Sequence, residues 1–474
     1  MSFWSRNGAC SNNEHSHRSL RPGTRRTIGA LTVLFAGAAV VQAQDAIPPG
    51  LIARLDITQQ LEYSDNPDLE EEKESDFFGR TILGFGLESV TKLQRFALDL
   101  GTDIEEGRND RSTFNFNNSF GRLDYTRATQ NANIGLNMRY RESDVTSTFF
   151  DDDFDIDSSV INQSDGTRQS YGFALDGDFG INDPIGGAYS LGYSEIRYED
   201  TTDPDLTDQD LLDFSGQLNF RIDPRILARV TAGYSDFNTN GDGVDRETTR
   251  LGAGVQLLVN PTLTADIGLS YDSIERSGDE TGEDDGISAA VSFEQQMSNG
   301  TLGLDFESDV TSNDDGRRGF LSVSRQLQLS RTTALDMSLG ATYSEGVGTD
   351  PLFNIDYVQE LSTSRLSFGV SQSVDIDSDN EERINTSLRA GYDYSINALS
   401  SIGVDLAFFN RNELGDNADD GQRVDLGLVY RHALTRDWDL IGSYRHTFED
   451  SDNDSSRNSN TIFVGLQRGF TWSP

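Results

Sequence analysis

Cysteine is almost missing from this chain: Cys10 is the only one in 474 residues, beside four histidines and four methionines. One thiol cannot close an internal disulfide, which excludes a disulfide-stapled secreted scaffold. Positive charge is scarce too. Lysine and arginine number 38 against 79 aspartates and glutamates, a formal net charge of −41. Nucleic acid needs a basic surface, so it is not an expected partner. Long apolar runs are also lacking. Nothing after Val41 approaches the roughly 18 consecutive apolar residues of a spanning helix, and mean hydropathy is −0.52. This excludes a helical membrane protein. It does not exclude a barrel, in which only alternate residues meet lipid.

Residues 1–43 read as a cleaved signal peptide. Arg18, Arg21, Arg25 and Arg26 form a basic region, Ile28 to Val41 is apolar, and Val41-Gln42-Ala43 offers a small-residue cleavage site. The apolar run is too short to anchor the chain, and a polar segment follows at once. The Arg25-Arg26 pair hints at twin-arginine export. A barrel must cross unfolded, so the general secretory route is expected. The leader takes five of the 38 basic side chains and one of the 79 acidic ones, leaving 33 and 78, a balance of −45. Cys10 leaves with it, and with it any thiol chemistry.

What is present is alternation. In Asn460 to Trp472, Ile462, Val464, Leu466, Phe470 and Trp472 share one face, and Phe463, Gly465, Gln467 and Gly469 the other. That is the period of a strand. The stretch is longer than an ordinary soluble strand and ends on aromatics, as a lipid-facing barrel strand does. It resembles the C-terminal signature of bacterial outer-membrane barrels, displaced by Ser473 and Pro474. The same alternation runs through Leu51 to Leu61, Ile134 to Tyr140, Leu263 to Tyr271, Leu335 to Tyr343 and Val424 to Tyr430. About 22 such segments, in a range of roughly 18 to 22, predict an all-β, transmembrane, up-and-down antiparallel β-barrel. Phe114–Tyr125 and Phe353–Leu361 are the weak ones.

Connections alternate between short turns, such as Asn260-Pro261, and longer acidic stretches. Asp65–Asp76, Asp236–Glu247, Arg276–Gly286 and Glu449–Arg457 read as acidic loops. A soluble propeller repeats hairpins without this strict alternation of turn length. Residues 44–474 are therefore expected to be the barrel, with no plug domain, both termini periplasmic and the acidic loops outside.

Side chains between the apolar ones should face the lumen. The candidate lining is Arg139, Asp176, Asp178, Asp266, Asp305, Arg389, Arg423 and Asp425; Asp103, Arg141, Arg229, Asp272, Glu307 and Arg445 share the inward parity. A barrel of about 22 strands is on the order of 40 Å across, so side chains cannot fill it and a water-filled channel is expected. The longest connection, 143–168, carries Asp144, Asp151, Asp152, Asp153, Asp155 and Asp157 and is the candidate pore constriction. Its carboxylates favour cations at a mouth and could bridge lipopolysaccharide phosphates through divalent ions. Asp153, Asp155 and Asp157 have only the first positions of a calcium loop, so no metal, cofactor or catalytic site is expected. Two histidines remain, His432 and His446. Ser443 and His446 fall on opposite strand faces, so the chain is not read as an enzyme.

The first hairpin carries Glu62-Tyr63-Ser64-Asp65-Asn66-Pro67, then Ser75-Asp76-Phe77. This resembles the Ser-Asp-Asn opening of the β-barrel porin-2 group of bacterial outer-membrane proteins. The resemblance implies a bacterial outer-membrane location, contact with lipid and lipopolysaccharide, and dependence on the barrel insertion machinery. The expected function is passive diffusion of small hydrophilic solutes, with a preference for cations. An exopolysaccharide-export barrel and a non-conducting structural or adhesive barrel are the alternatives.

Overall fold

The computed structural model describes residues 50–106, 115–145, 166–201, 206–240, 243–278, 281–311, 316–344, 348–376, 382–413, 420–451 and 454–473. Within them lie 22 strands. They are β1 (Gly50–Ser64), β2 (Asp76–Val90), β3 (Gln94–Glu106), β4 (Asn115–Ala128), β5 (Ala132–Asp144), β6 (Thr167–Phe179) and β7 (Ile185–Glu199). Next come β8 (Asp208–Asp223), β9 (Ile226–Asn240), β10 (Val244–Asn260), β11 (Leu263–Gly278), β12 (Gly282–Met297), β13 (Gly300–Val310), β14 (Arg317–Ser330) and β15 (Thr333–Ser344). The last are β16 (Gly348–Glu360), β17 (Ser364–Ile376), β18 (Glu382–Asn397), β19 (Ser400–Glu413), β20 (Gly421–Ala433), β21 (Asp439–Ser451) and β22 (Asp454–Trp472).

Every strand pairs antiparallel with the next, and β22 returns to β1 from Ala53↔Trp472 to Ser64↔Thr461. The sheet closes on itself and leaves no edge. The expected up-and-down barrel is thus observed, with 22 strands. The expected lack of a plug concerns residues before Gly50, outside the described ones.

Alternation sets which face is which. On β1, Leu61 is 57% exposed on the outside while Gln60, beside it, is 1% exposed on the inside. Outward aromatics gather in two belts: Tyr63, Phe77 and Tyr343 near the longer connections, and Phe179, Trp438 and Trp472 near the short turns. Such girdles mark the two interfaces of a lipid-embedded barrel, with the aliphatic band between them.

The short turns repeat one device. Asp223, Asn260, Ser330 and Asn397 each accept, on a side-chain oxygen, the backbone N–H two residues on. The strand registers shift at each of these positions. An Asx or Ser turn with a bulge thus closes each hairpin in two residues.

At the other rim the acidic stretches behave differently from the reading as loops. Asp236–Glu247, Arg276–Gly286 and Glu449–Arg457 are largely strand: Arg246 pairs with Phe237, Glu275 with Glu283, and Glu449 with Arg457. Above the lipid both faces of a strand are wet, so the apolar period vanishes although the backbone ladder continues. Loss of pattern there was loss of lipid, not loss of strand. The weak segments are likewise full strands, β4 and β16.

The Ser64-Asp65-Asn66 motif is a clasp across the β1–β22 seam. Asn66, buried, donates through Nδ2 to the carbonyls of Glu70 and Asn458, and its Oδ1 accepts from the Glu70 N–H. Ser64 meets Ser459 and Thr461, and Asp65 accepts from the backbone and side chain of Asn460. Asn66→Ala is expected to destabilise the barrel by about 1–3 kcal/mol, the cost of leaving buried partners unpaired, read as a lower unfolding temperature in detergent. Burial pushes the Asp65 carboxyl up, but the Asn460 hydrogen bonds and Lys73 outweigh it and hold it below its ordinary 3.8. The clasp is therefore fully held above that pH and released as pH falls through the lowered value. Proteolysis of the 65–75 connection should accelerate only there.

Candidate functional site

The inner wall carries buried polar and charged side chains, and cross-strand register assembles them into pairs. Neighbouring strands bring inward side chains close enough for opposite charges to pair. In the half nearer the longer connections, Arg80 on β2 reaches Glu105 on β3 at 2.6 Å, Glu62 on β1 at 3.6 Å and Asp103 at 3.9 Å. Its guanidinium also lies 5.4 Å from the Phe78 ring centroid. Nearby, Arg423 on β20 contacts Glu449 on β21 at 3.0 Å and Asp425 at 3.2 Å, and Thr447 donates to Asp425 at 2.7 Å. Arg423, Asp425 and Glu449 are all buried.

A second arc runs from β9 to β18. Arg229 forks onto Asp266 across the intervening β10. It can do so because β10 has Gly254 there, where a Cβ would sit 2.9 Å from the Arg229 Nε. Arg250 grips Asp272 bidentately at 2.7 and 3.0 Å, and Ser288 donates to the same carboxylate at 2.5 Å. Beside them is a cavity of about 20 Å³ lined by Arg229, Arg250, Ser288, Glu307 and Asp309, room for about one water. Arg318 on β14 lies 3.8 Å from Glu382 on β18, which also accepts from Ser344 on β15 at 2.9 Å. The Arg229–Asp266, Arg318–Glu382 and Ser344–Glu382 contacts join strands that are not paired with one another.

Of the sequence-derived lining, Asp266, Arg423 and Asp425 thus belong to buried charge pairs and not to a wetted surface. Asp176 and Asp178 lie toward the short-turn end of β6, opposite Gly135 and Asn133. Asp305 faces Ser292 and Ser322, and Arg389 faces Gly369 and Ala407. Arg139 is exposed on β5, its Nε donating to Asn137 at 2.9 Å. Asp144 closes β5 opposite Thr167; Asp151, Asp152, Asp153, Asp155 and Asp157 fall outside the described residues. Glu62, Arg80, Arg250, Arg318, Glu382 and Glu449 were missed. Their inward parity was readable against Phe77 or Leu251, but their partners follow only from register.

His432 meets Ser400 at 2.8 Å and His446 meets Asn460 at 3.0 Å. Among the described residues no three metal-ligating side chains converge.

No family model matches the chain, and no curated protein matches it either. Solved structures do. The siderophore receptor PirA from Acinetobacter baumannii superposes with a TM-score of 0.51 at 9% identity, over 90% of this chain and 81% of that one. The ferric enterobactin receptor PfeA from Pseudomonas aeruginosa gives 0.52 at 8%, over 89% and 82%. The ferric-catecholate import receptor Fiu from E. coli K12 gives 0.53 at 9%, over 88% and 81%.

These likenesses overturn the expected function. Passive diffusion of small solutes with a cation preference does not stand, nor do its exopolysaccharide-export and adhesive alternatives, because the similar structures are receptors. The physical reason lies in the strand number. Diffusion porins have about 16–18 strands, whereas 22-stranded barrels are transporters whose lumen is otherwise far too wide to sieve a small solute. Charges read as wet pore lining are, in the two arcs, bound to one another. The chain folds as a 22-stranded antiparallel outer-membrane β-barrel, similar in fold to those structures.

Proposed function

We propose that this protein is a ligand-specific import receptor of the bacterial outer membrane, exported by the signal at 1–43, and that its ligand is a bulky iron chelate. The observation that carries the reading is the closed 22-stranded wall, whose fold it shares with receptors named for siderophores and ferric catecholates. A lumen of that width cannot select by size, so selectivity has to come from binding groups. The resemblance of Ser64-Asp65-Asn66 to the porin-2 group does not bear on the solute, since those residues serve the seam. Acidic segment 143–168 is our candidate for the outer mouth.

The test is uptake of radiolabelled iron, supplied as ferric enterobactin or as a ferric hydroxamate, by cells lacking their own chelate receptors. Expression should give saturable uptake of at least one chelate. Uptake no faster than in vector controls, together with unsaturable leakage of small sugars, would return the barrel to the diffusion class.

A further inference from the structure

Charge on the lipid-facing side of the wall is distributed unevenly. Parity and register fix which strand positions point outward, because each stands level with an outward residue of the neighbouring strand. Among the described strand residues the outward carboxylates, such as Glu142, Glu195 and Asp285, lie in the half nearer the longer connections. In the half nearer the short turns the outward charges are arginines. Arg127 stands level with Ile134, Arg325 with Leu302 and Met337, and Arg468 with Ile57. No aspartate or glutamate of the described strands points outward in that half. In a chain of net charge −41, composition alone would give the opposite.

An arginine among aliphatic neighbours on a lipid face is costly unless its head reaches the interface and is held there. Two of the three are held. The Arg468 guanidinium carbon lies 4.5 Å from the Phe470 ring centroid and 5.4 Å from that of Trp438. Phe470 in turn stacks on Trp472, with centroids 6.0 Å apart and planes 7° from parallel. Ring faces hold a cation without using its N–H donors. The Arg468 Nε is shielded from solvent and has no hydrogen-bond partner among the described residues. Arg325 reaches the rim, donating through Nη2 to Asn299 Oδ1, in the turn between β12 and β13, at 2.8 Å. Its Nη1 is likewise shielded and without a hydrogen-bond partner among the described residues.

We infer that Arg468 and Arg325 each bind the phosphate of a phospholipid headgroup in the leaflet at the short-turn rim. A guanidinium meets phosphate oxygens through paired N–H donors, and partial desolvation strengthens the contact. Trp438 and Trp472 set the headgroup level, as belt aromatics do. Leu466 and Ile57 lie beside Arg468 on the outer face, where an acyl chain of the same lipid would run. The short-turn rim faces the periplasm in barrels of this topology, which makes the lipid a phospholipid and not lipopolysaccharide. Carboxylates on the outward face of the other half would repel the same phosphate. The sites do not depend on the import reading, since they lie on the outside of the wall.

The experiment is native mass spectrometry of the purified full-length barrel in a non-ionic detergent. The probes are phosphatidylglycerol, a diacylglycerol with the same chains, and lipopolysaccharide. The protein should retain phosphatidylglycerol saturably, and the diacylglycerol much less. Arg468→Gln and Arg325→Gln should each weaken that retention, the double variant by about ten-fold or more, the loss of charge-assisted hydrogen bonds. Arg468→Lys, which keeps the charge without the fork, should lose less than Arg468→Gln. Arg197→Gln, outward at the other end beside Glu195, is the control and should change nothing. Each variant is first checked for the heat-modifiable gel shift of a folded barrel; if Arg468→Gln fails it, Arg468→Lys and Arg325→Gln carry the test. Equal retention of the diacylglycerol, or arginine variants that lose lipopolysaccharide and keep phosphatidylglycerol, overturns the sites.

Discussion

Arg423→Leu is expected to cost the folded barrel about 3–5 kcal/mol, because it leaves buried carboxylates without their counter-charge. Asp425 and Glu449 are 5% and 1% exposed and share that guanidinium. The loss should come from those abandoned groups more than from the bond itself. Accordingly the triple variant Arg423→Leu, Asp425→Asn, Glu449→Gln should recover part of it, because the abandoned carboxylates are gone while Arg445 and Arg457, which also face Asp425 and Glu449, each lose one counter-charge. Arg139→Leu, at an exposed position, should stay within about 0.5 kcal/mol. Urea unfolding in lipid vesicles, followed by the fluorescence of Trp438 and Trp472, reads all three. A neutral Arg423→Leu would mean that the inner wall is wet after all.

The barrel was legible because lipid imposes a period on sequence. Leu251, Leu269 and Val464 had to be apolar while their neighbours did not, and strand number followed from counting. Register left no such trace. That Arg80 meets Glu62 and Glu105, or that Arg229 passes over Gly254 to Asp266, depends on which residues of different strands stand level. The lining was therefore identified by parity while its pairing stayed hidden, and paired charges were read as pore surface. Outside the membrane the period itself was lost, so paired strands at Asp236–Glu247 and Arg276–Gly286 passed for loops. The Ser-Asp-Asn motif was visible from the start, but its work at the seam required β22 beside it. Function failed at a further step. The width implied by 22 strands argues against a sieve, and only the match to receptor structures gave that width its meaning.

Strand β8 offers the cleanest contrast between the two faces. Phe214, near its middle, is exposed on the outside, and Ser215 is exposed on the inside, where it meets Ser190 at 2.9 Å. Phe214→Arg should destabilise the barrel in bilayers by about 2–4 kcal/mol, the depth-dependent cost of a charge on the lipid face. Ser215→Arg, in a wide polar lumen, should cost little. Both are read by urea titration from vesicles.

The most direct measurement is a single-cysteine scan of residues 213–218 in the chain freed of its leader and of Cys10. Each position carries one fluorophore in reconstituted vesicles, quenched in turn by brominated lipid and by aqueous iodide. We expect lipid quenching at 214, 216 and 218 and iodide quenching at 213, 215 and 217. Uniform quenching by iodide at all six positions would contradict the two-faced wall.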